Sequence, residues 1–318
     1  LLAKEDSYMP IKITDGLSAK ELLHEEGIFT IDKGSALHQD IRPLRILILN
    51  LMPLKKPTEL QLLRLLGDSP LQVEVDFCRT TSHESVHTDP SYLEQNYYTF
   101  DDIKDNYYDG LIITGAPVEQ IPFEDVDYWP ELTTYLDWSA AHAFSTLYFC
   151  WGAQAALYHY YGIEKRLLPE KLFGIFPHRR DYARSILLRG FDDRYFIPQS
   201  RHTAIDDIKV YNTPALDILS RSPENGINII GTADHRRFFV LGHFEYDRRT
   251  LETEYLRDKN KGLPISVPKH YYPKDDKNQP VFTWCSYAHL FYHNWLNIVY
   301  QETPYCLEDI GRGKFCVR

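Results

Sequence analysis

The run Leu44-Arg45-Ile46-Leu47-Ile48-Leu49-Asn50-Leu51 decides the fold class, because it is short, continuous and apolar at almost every position. A strand with one wet face alternates apolar and polar residues, whereas a strand covered on both faces of a parallel sheet does not. Pro53 stops the run. Pro57-Thr58-Glu59 then opens a helix with Leu60, Leu63 and Leu66 on one face and Gly67 as its terminator. Working outward, Leu71–Cys78 alternates and reads as a second strand nearer an edge, and Asp101–Tyr108 reads as helix. Gly110–Thr114 is another buried strand, followed by the loop Gly115-Ala116-Pro117. Trp129–Phe144 has helical spacing, Thr146–Cys150 is a strand, and Gly152–Tyr161 is helical. Strands alternating with helices over 44–161 predict a doubly wound α/β fold with a mostly parallel sheet.

The pattern loosens after Gly162. Short strands are expected at Ile227–Gly231 and Phe238–His243, a charged helix at Leu251–Lys261, a surface loop over Pro264–Pro280, and a last helix at Ala288–Tyr300. With no internal repeat or linker, one domain over 9–307 is expected. Residues 1–8 and 308–318 read as disordered terminal extensions.

Composition narrows the function classes. The formal charge is −10, from 35 basic and 45 acidic residues, and no basic run offers a face for a phosphate backbone, so nucleic acid is not an expected partner. The pair Lys55-Lys56 could still meet a small anion, since net charge says little about one pocket. The five cysteines, Cys78, Cys150, Cys285, Cys306 and Cys316, contain no C-x-x-C pair, which argues against a disulfide framework and a structural zinc. The histidines show no ligand spacing, and no metal is expected. Leu1–Pro10 is not a signal peptide, and no segment has the roughly 18 apolar residues that span a bilayer. The chain reads as cytoplasmic.

Nucleophiles of α/β enzymes often occupy the sharp turn between a buried strand and the next helix, where the helix N-terminus favours a developing anion. Cys150, in Tyr148-Phe149-Cys150-Trp151-Gly152-Ala153-Gln154, sits at such a junction. The alternative is a buried core cysteine, since cysteine is among the most buried residue types. His243 and Glu245 supply a base and its orienter, two apart in extended chain and so on one side of it. A solvent-facing strand edge accounts for their spacing equally well. His142, His159, His289 and His293 lie on helical patterns and read as surface or core residues. The backbone N–H of Trp151 is the natural first oxyanion donor, and the Gly115–Pro117 loop could supply a second, with no one amide singled out by the sequence.

Several longer strings go further. Asn50-Leu51-Met52-Pro53-Leu54-Lys55-Lys56-Pro57-Thr58-Glu59, Ile113-Thr114-Gly115-Ala116-Pro117-Val118-Glu119, Cys150-Trp151-Gly152-Ala153-Gln154-Ala155, Ser200-Arg201-His202-Thr203 and Gln301-Glu302-Thr303-Pro304-Tyr305 resemble the homoserine O-acyltransferase family. The resemblance runs from Met9 to Leu307. It implies a class I glutamine-amidotransferase-like, flavodoxin-like fold and a ping-pong reaction that opens methionine biosynthesis. Cys150 would take an acyl group from acyl-CoA as a thioester, and the hydroxyl of L-homoserine would collect it. Cofactors are none beyond the co-substrate acetyl-CoA. The resemblance makes Arg257 the arginine for the homoserine carboxylate and places Lys171 and Ser200 at the other binding positions. Glu119 stands where the family carries glycine with succinyl-CoA and glutamate with acetyl-CoA, which implies an acetyl donor. A glutamate there fills volume and repels a distal carboxylate. A homodimer is common in the family. A succinyl donor, a glutamine amidotransferase or related cysteine hydrolase, and a non-catalytic relative are the alternatives.

Overall fold

The computed structural model of the chain describes residues 11–13, 17–25, 30–32, 42–83, 87–181, 185–273 and 279–312. The expected extension at 1–8, and 313–318 of the other, lie outside these. The first half folds as β1 (Ile11–Ile13), α1 (Ala19–Glu25), β2 (Thr30–Asp32), β3 (Leu44–Leu49), α2 (Lys55–Gly67), β4 (Val73–Cys78), α3 (Pro90–Asn96), β5 (Tyr97–Tyr98), α4 (Phe100–Ile103), β6 (Tyr108–Ile113), α5 (Trp129–His142), β7 (Ala143–Phe149) and α6 (Trp151–Tyr161). The second half adds β8 (Lys165–Arg180), β9 (Arg194–Ile205), α7 (Asp207–Tyr211), β10 (Asp217–Ser222), β11 (Gly226–Gly231), β12 (Arg237–Val240), α8 (Thr250–Asn260), α9 (Cys285–Glu302) and a closing 3-10 helix, Leu307–Arg312.

One sheet runs through the molecule in the order β2-β1-β4-β3-β6-β7-β12-β11-β10-β8-β9, with β5 on β4. Pairings from β2 to β12 are parallel, and those from β12 to β9 are antiparallel. The period of two in β3 shows how both faces are covered. Ile46 and Ile48 pack with Leu62 and Leu66 of α2 and Trp295 of α9, whereas Leu47 and Leu49 pack with Leu132 and Leu136 of α5 and Leu157 of α6. This is the doubly wound arrangement, and each fully buried Leu or Ile contributes about 1.5–3 kcal/mol to it.

Several expected boundaries move. Asp101–Tyr108 is not one helix: a capping box at Thr99 and Asp102 starts α4, which ends at Ile103, and Tyr108 already belongs to β6. β4 does lie nearer an edge than β3, with only the short β1, β2 and β5 beyond it among the described strands, yet Asp76 on it is buried. The largest omission is the β8–β9 hairpin, whose residues lack a continuous apolar pattern because much of β8 is open to solvent. Of the expected 308–318 extension, residues 308–312 belong to the closing 3-10 helix, with Ile310 buried. Among the described residues, no helix is long and apolar enough to cross a membrane.

Candidate active site

Cys150 joins β7 to α6 with φ 48° and ψ −114°. A non-glycine residue in that region is strained by about 1–3 kcal/mol and persists only where its surroundings hold it. Two contacts do so: the Cys150 N–H donates to Val240 O at 2.7 Å, and Gln154 N–H donates to Cys150 O at 3.1 Å. The next turn is tight enough to require glycine, because a Cβ on Gly152 would fall 2.5 Å from Thr114 O. Helix α6 therefore starts directly behind the sulfur, and the N–H of Trp151 belongs to its unpaired first turn. The Gly115 loop lies against the elbow, its Cβ position 3.2 Å from Cys150 Cβ and 3.7 Å from Trp151 N.

β12 pairs in parallel with β7, Val240 beside Phe149, so the chain leaving β12 emerges next to the cysteine. The strand ends at Val240, and His243 and Glu245 lie in the following turn rather than in extended chain. A bend brings them together, where the strand period had been expected to. His243 Nδ1 and Glu245 Oε1 are 2.7 Å apart. A carboxylate only accepts, so Nδ1 carries the proton and leaves Nε2 for the thiol. Nε2 is buried and has no aligned hydrogen-bond partner among the described residues. Burial disfavours an imidazolium here, but Glu245 and Cys150 outweigh it and hold the His243 pKa well above its ordinary value. Tyr246 stacks on the imidazole with centroids 4.2 Å apart, which fixes the ring plane.

A cleft of about 460 Å³ opens over Cys150 and His243. The β8–β9 hairpin, with Phe173 opposite Ser200, brings Lys171 and Ser200 to its wall. Helix α8 supplies Glu254, Arg257 and Asp258, which share a helix face by their i, i+3 and i+4 spacing. Glu254 ties the wall together. Its Oε2 accepts from Ser200 Oγ at 2.5 Å and Lys171 Nζ at 3.4 Å, and its Oε1 accepts from Tyr246 OH at 2.7 Å. Arg257 Nε donates to Asp258 Oδ1 at 2.7 Å, and its side chain stays half exposed at the mouth.

Glu119 lines the same cleft and its Oε1 accepts the backbone N–H of His202 at 2.8 Å. Burial raises its pKa, against the opposing influence of that N–H, Lys171, His243 and Arg201. Arg201 is fully buried, bonded to Gln199 Oε1, Thr203 O and Asn225 O, and its charge acts on both Cys150 and Glu119. Of the residues singled out in the sequence, Cys150, His243, Glu119, Lys171, Ser200 and Arg257 line this one cleft, whereas Glu245 stands behind His243 and Trp151 behind Cys150. Glu254, Tyr246, Asp258 and Arg201 were missed; Glu254 was within reach as the acidic residue one helical turn before Arg257.

The family model for homoserine O-succinyltransferase matches residues 10–305. The chain belongs to the homoserine O-succinyltransferase family. Relatives within this family bear a different acyl name. The homoserine O-acetyltransferase of Desulfitobacterium hafniense strain DSM 10664 / DCB-2 is 53% identical over 305 residues, covering 95% of this chain and 99% of that one. That of Brevibacillus brevis is 54% identical over 306 residues, covering 96% and 100%. In fold, this member of the homoserine O-succinyltransferase family is similar to a glutamine amidotransferase from Thermotoga maritima, with TM-score 0.53 and 12% identity over 82% of this chain and 100% of that one. A second glutamine amidotransferase, from Methylobacillus flagellatus, gives TM-score 0.51 at 14% identity over 81% and 95%. These likenesses establish the class I glutamine-amidotransferase-like fold and nothing about the reaction.

Proposed function

We propose that this chain is a homoserine O-acetyltransferase that uses Cys150 as nucleophile, His243 as general base and acid, and Glu245 as the group that orients His243. The observation that carries this reading is one cleft lined by the strained Cys150, by His243 with Glu245 bonded behind it, and by the Glu254–Arg257 face of α8. The thiolate of Cys150 attacks the thioester carbonyl of acetyl-CoA, and the oxyanion that develops takes the Trp151 N–H. The tetrahedral adduct collapses, the CoA sulfur leaves with the proton held on His243, and an acetyl thioester remains on Cys150. His243 then takes the proton of the homoserine hydroxyl, whose oxygen attacks that thioester. Cys150 leaves as thiolate and O-acetyl-L-homoserine departs.

The acceptor is a zwitterion, and the cleft wall offers both signs. Arg257 presents a guanidinium fork for the carboxylate, and Glu254 and Asp258 are carboxylates for the ammonium group, with Lys171 and Ser200 holding Glu254 in place. For the donor, Glu119 supports acetyl. Its carboxylate already takes the His202 N–H that the far end of a succinyl group would need.

The test is intact-protein mass after incubation with acetyl-CoA or succinyl-CoA, with Cys150→Ser as control, followed by L-homoserine. A hydroxylamine-labile acetyl adduct absent from Cys150→Ser and discharged to O-acetylhomoserine is the expected result. A succinyl adduct would remove the donor assignment and keep the family chemistry. No adduct with either donor would favour cysteine hydrolase chemistry, with glutamine the next substrate to try.

A further inference from the structure

The motif Asn50–Glu59 contributes little to the catalytic cleft beyond Met52 and Pro53, yet its lysines lie at a topologically special place. From β3 the chain moves to β4 on one side and later to β6 on the other. Loops that diverge at such a reversal open a crevice at the carboxyl ends of the strands, where α/β sheets hold ligands. A second cavity, of about 210 Å³, occupies that crevice. It shares Met52, Pro53, Pro117 and Val118 with the catalytic cleft, so the two adjoin across one wall.

Its charge is one-sided. Lys55 at the start of α2, Arg79 just beyond β4, and His83 and His87 line it, with no carboxylate among the described lining residues. His83 is held by Asp127 at 2.6 Å, which leaves Lys55, Arg79 and His87 as the groups facing the space. Lys55 is buried, its Nζ donates to Asn50 O at 2.5 Å, and burial lowers its pKa to about 8. Arg79 Nε is buried without a hydrogen-bond partner among the described residues. Arg180, Arg221 and Arg236 also bury an Nε without a hydrogen bond, but each is held through other contacts, Arg180 by Asp193, Arg221 by Asp181 and Tyr211, and Arg236 by the carbonyls of Ala140 and Ala143. The Arg79 guanidinium has no such anchor among the described residues. A buried guanidinium nitrogen left open, in a cavity lined by cations, calls for an anion with several acceptor oxygens. In a chain of net charge −10, a polyanionic donor also needs such a local cationic site to approach at all.

The geometry points to this cavity as the site for the phosphate-bearing part of the acyl donor, with phosphate oxygens on Arg79 and Lys55 while the thioester reaches Cys150 across the Met52–Pro117 wall. This rests on the acyl-CoA reading above. The experiment compares kcat/KM for acetyl-CoA with that for S-acetylpantetheine, which carries the same thioester and no phosphate, at saturating homoserine. In Arg79→Gln the ratio of the two is expected to fall roughly 10- to 100-fold, the loss of one charge-assisted hydrogen bond, and Arg79→Lys to recover part of it. A ratio equal to that of the wild type overturns the site while the acetyltransferase reading stands. No transfer from acetyl-CoA by the wild type overturns both. The wild type gives an independent arm that needs no variant to fold: inorganic pyrophosphate is expected to compete with acetyl-CoA and to spare S-acetylpantetheine. Equal inhibition of both donors, or of neither, overturns the site.

Discussion

Replacing Glu119 with glycine tests the donor assignment at its source. In the wild type the Glu119 carboxylate takes the His202 N–H at 2.8 Å, with Lys171 and Arg201 acting on it as positive charges. A distal succinyl carboxylate placed in the same space would meet another carboxylate at roughly 5 Å, a repulsion of about 3 kcal/mol at an effective dielectric constant near 20. It would also lack the N–H, a bond to a charged group worth about 2 kcal/mol. The cleft opens to solvent, which screens the repulsion below this value. Halving the sum leaves about 2.5 kcal/mol, or on the order of 10²-fold in the succinyl-to-acetyl ratio of kcat/KM. Glu119→Gly is therefore expected to raise that ratio on the order of 10²-fold, measured with both CoA thioesters at fixed homoserine. Glu119→Gln, which keeps the volume and loses the charge, should fall between glycine and wild type. In the wild type, discrimination against succinyl-CoA should weaken as pH falls through the raised Glu119 pKa, because the repelling charge disappears. A ratio that moves less than threefold in a folded Glu119→Gly would refute the reasoning.

Glu245→Gln should lower kcat/KM for acetylation by roughly 10²–10⁴-fold. The His243 pKa should fall with it, since Glu245 is the chief group raising it against burial, and the pH profile of Cys150 alkylation reads that shift. Glu254→Gln should raise the KM for homoserine roughly 10- to 100-fold, the loss of a charged contact, with far less effect on the rate of single-turnover enzyme acetylation. Equal losses in both steps would remove Glu254 from the acceptor site. Gly152→Ala should cost about 1–3 kcal/mol of stability, because its Cβ would press to 2.5 Å from Thr114 O. A urea midpoint equal to wild type would show that α6 can shift away from β6.

The parallel half of the fold was legible because burial on both faces writes a continuous apolar run, as in Leu44–Leu49. β7 was found only in part, because Ser145-Thr146 interrupts its apolar run and its start at Ala143 reads as the end of a helix. The antiparallel half was not. In β8, Leu167 and neighbouring positions face solvent, so hydrogen bonds to β9 rather than an apolar pattern make the strand. His243 and Glu245 were found for a reason the structure changes, since two residues of spacing also suits the turn that joins them. Lys171, Ser200 and Arg257 came from resemblance alone. No local pattern foretells that a hairpin and a helix 50 or more residues apart will share one carboxylate, Glu254.

On the proposed reading, chemistry and acceptor choice are carried by different halves of the sheet. The elbow at Cys150 and the turn after β12 leave two adjacent parallel strands, β7 and β12. A thioester formed there is open to water, ammonia release or transfer alike. What the second half would add, on that reading, is a wall that holds an amino acid while the thioester exists. Lys171 and Ser200 enter on the hairpin, Glu254 and Arg257 on α8, and Glu254 links the wall to the catalytic ring through Tyr246. Seating the acceptor therefore orders the ring that must take its proton. The hydroxyl is positioned beside His243 at the cost of water, and acyl transfer gains over hydrolysis by the proximity that a bound nucleophile has over a free one. On this account, hydrolysis of acetyl-Cys150 without homoserine should be slow in the wild type, and loss of Glu254 should reduce transfer without speeding hydrolysis to match. Mass spectra of the acyl-enzyme followed over time, with and without homoserine, separate the two rates; fast hydrolysis in the wild type would mean that the wall holds an acceptor but does not protect the intermediate.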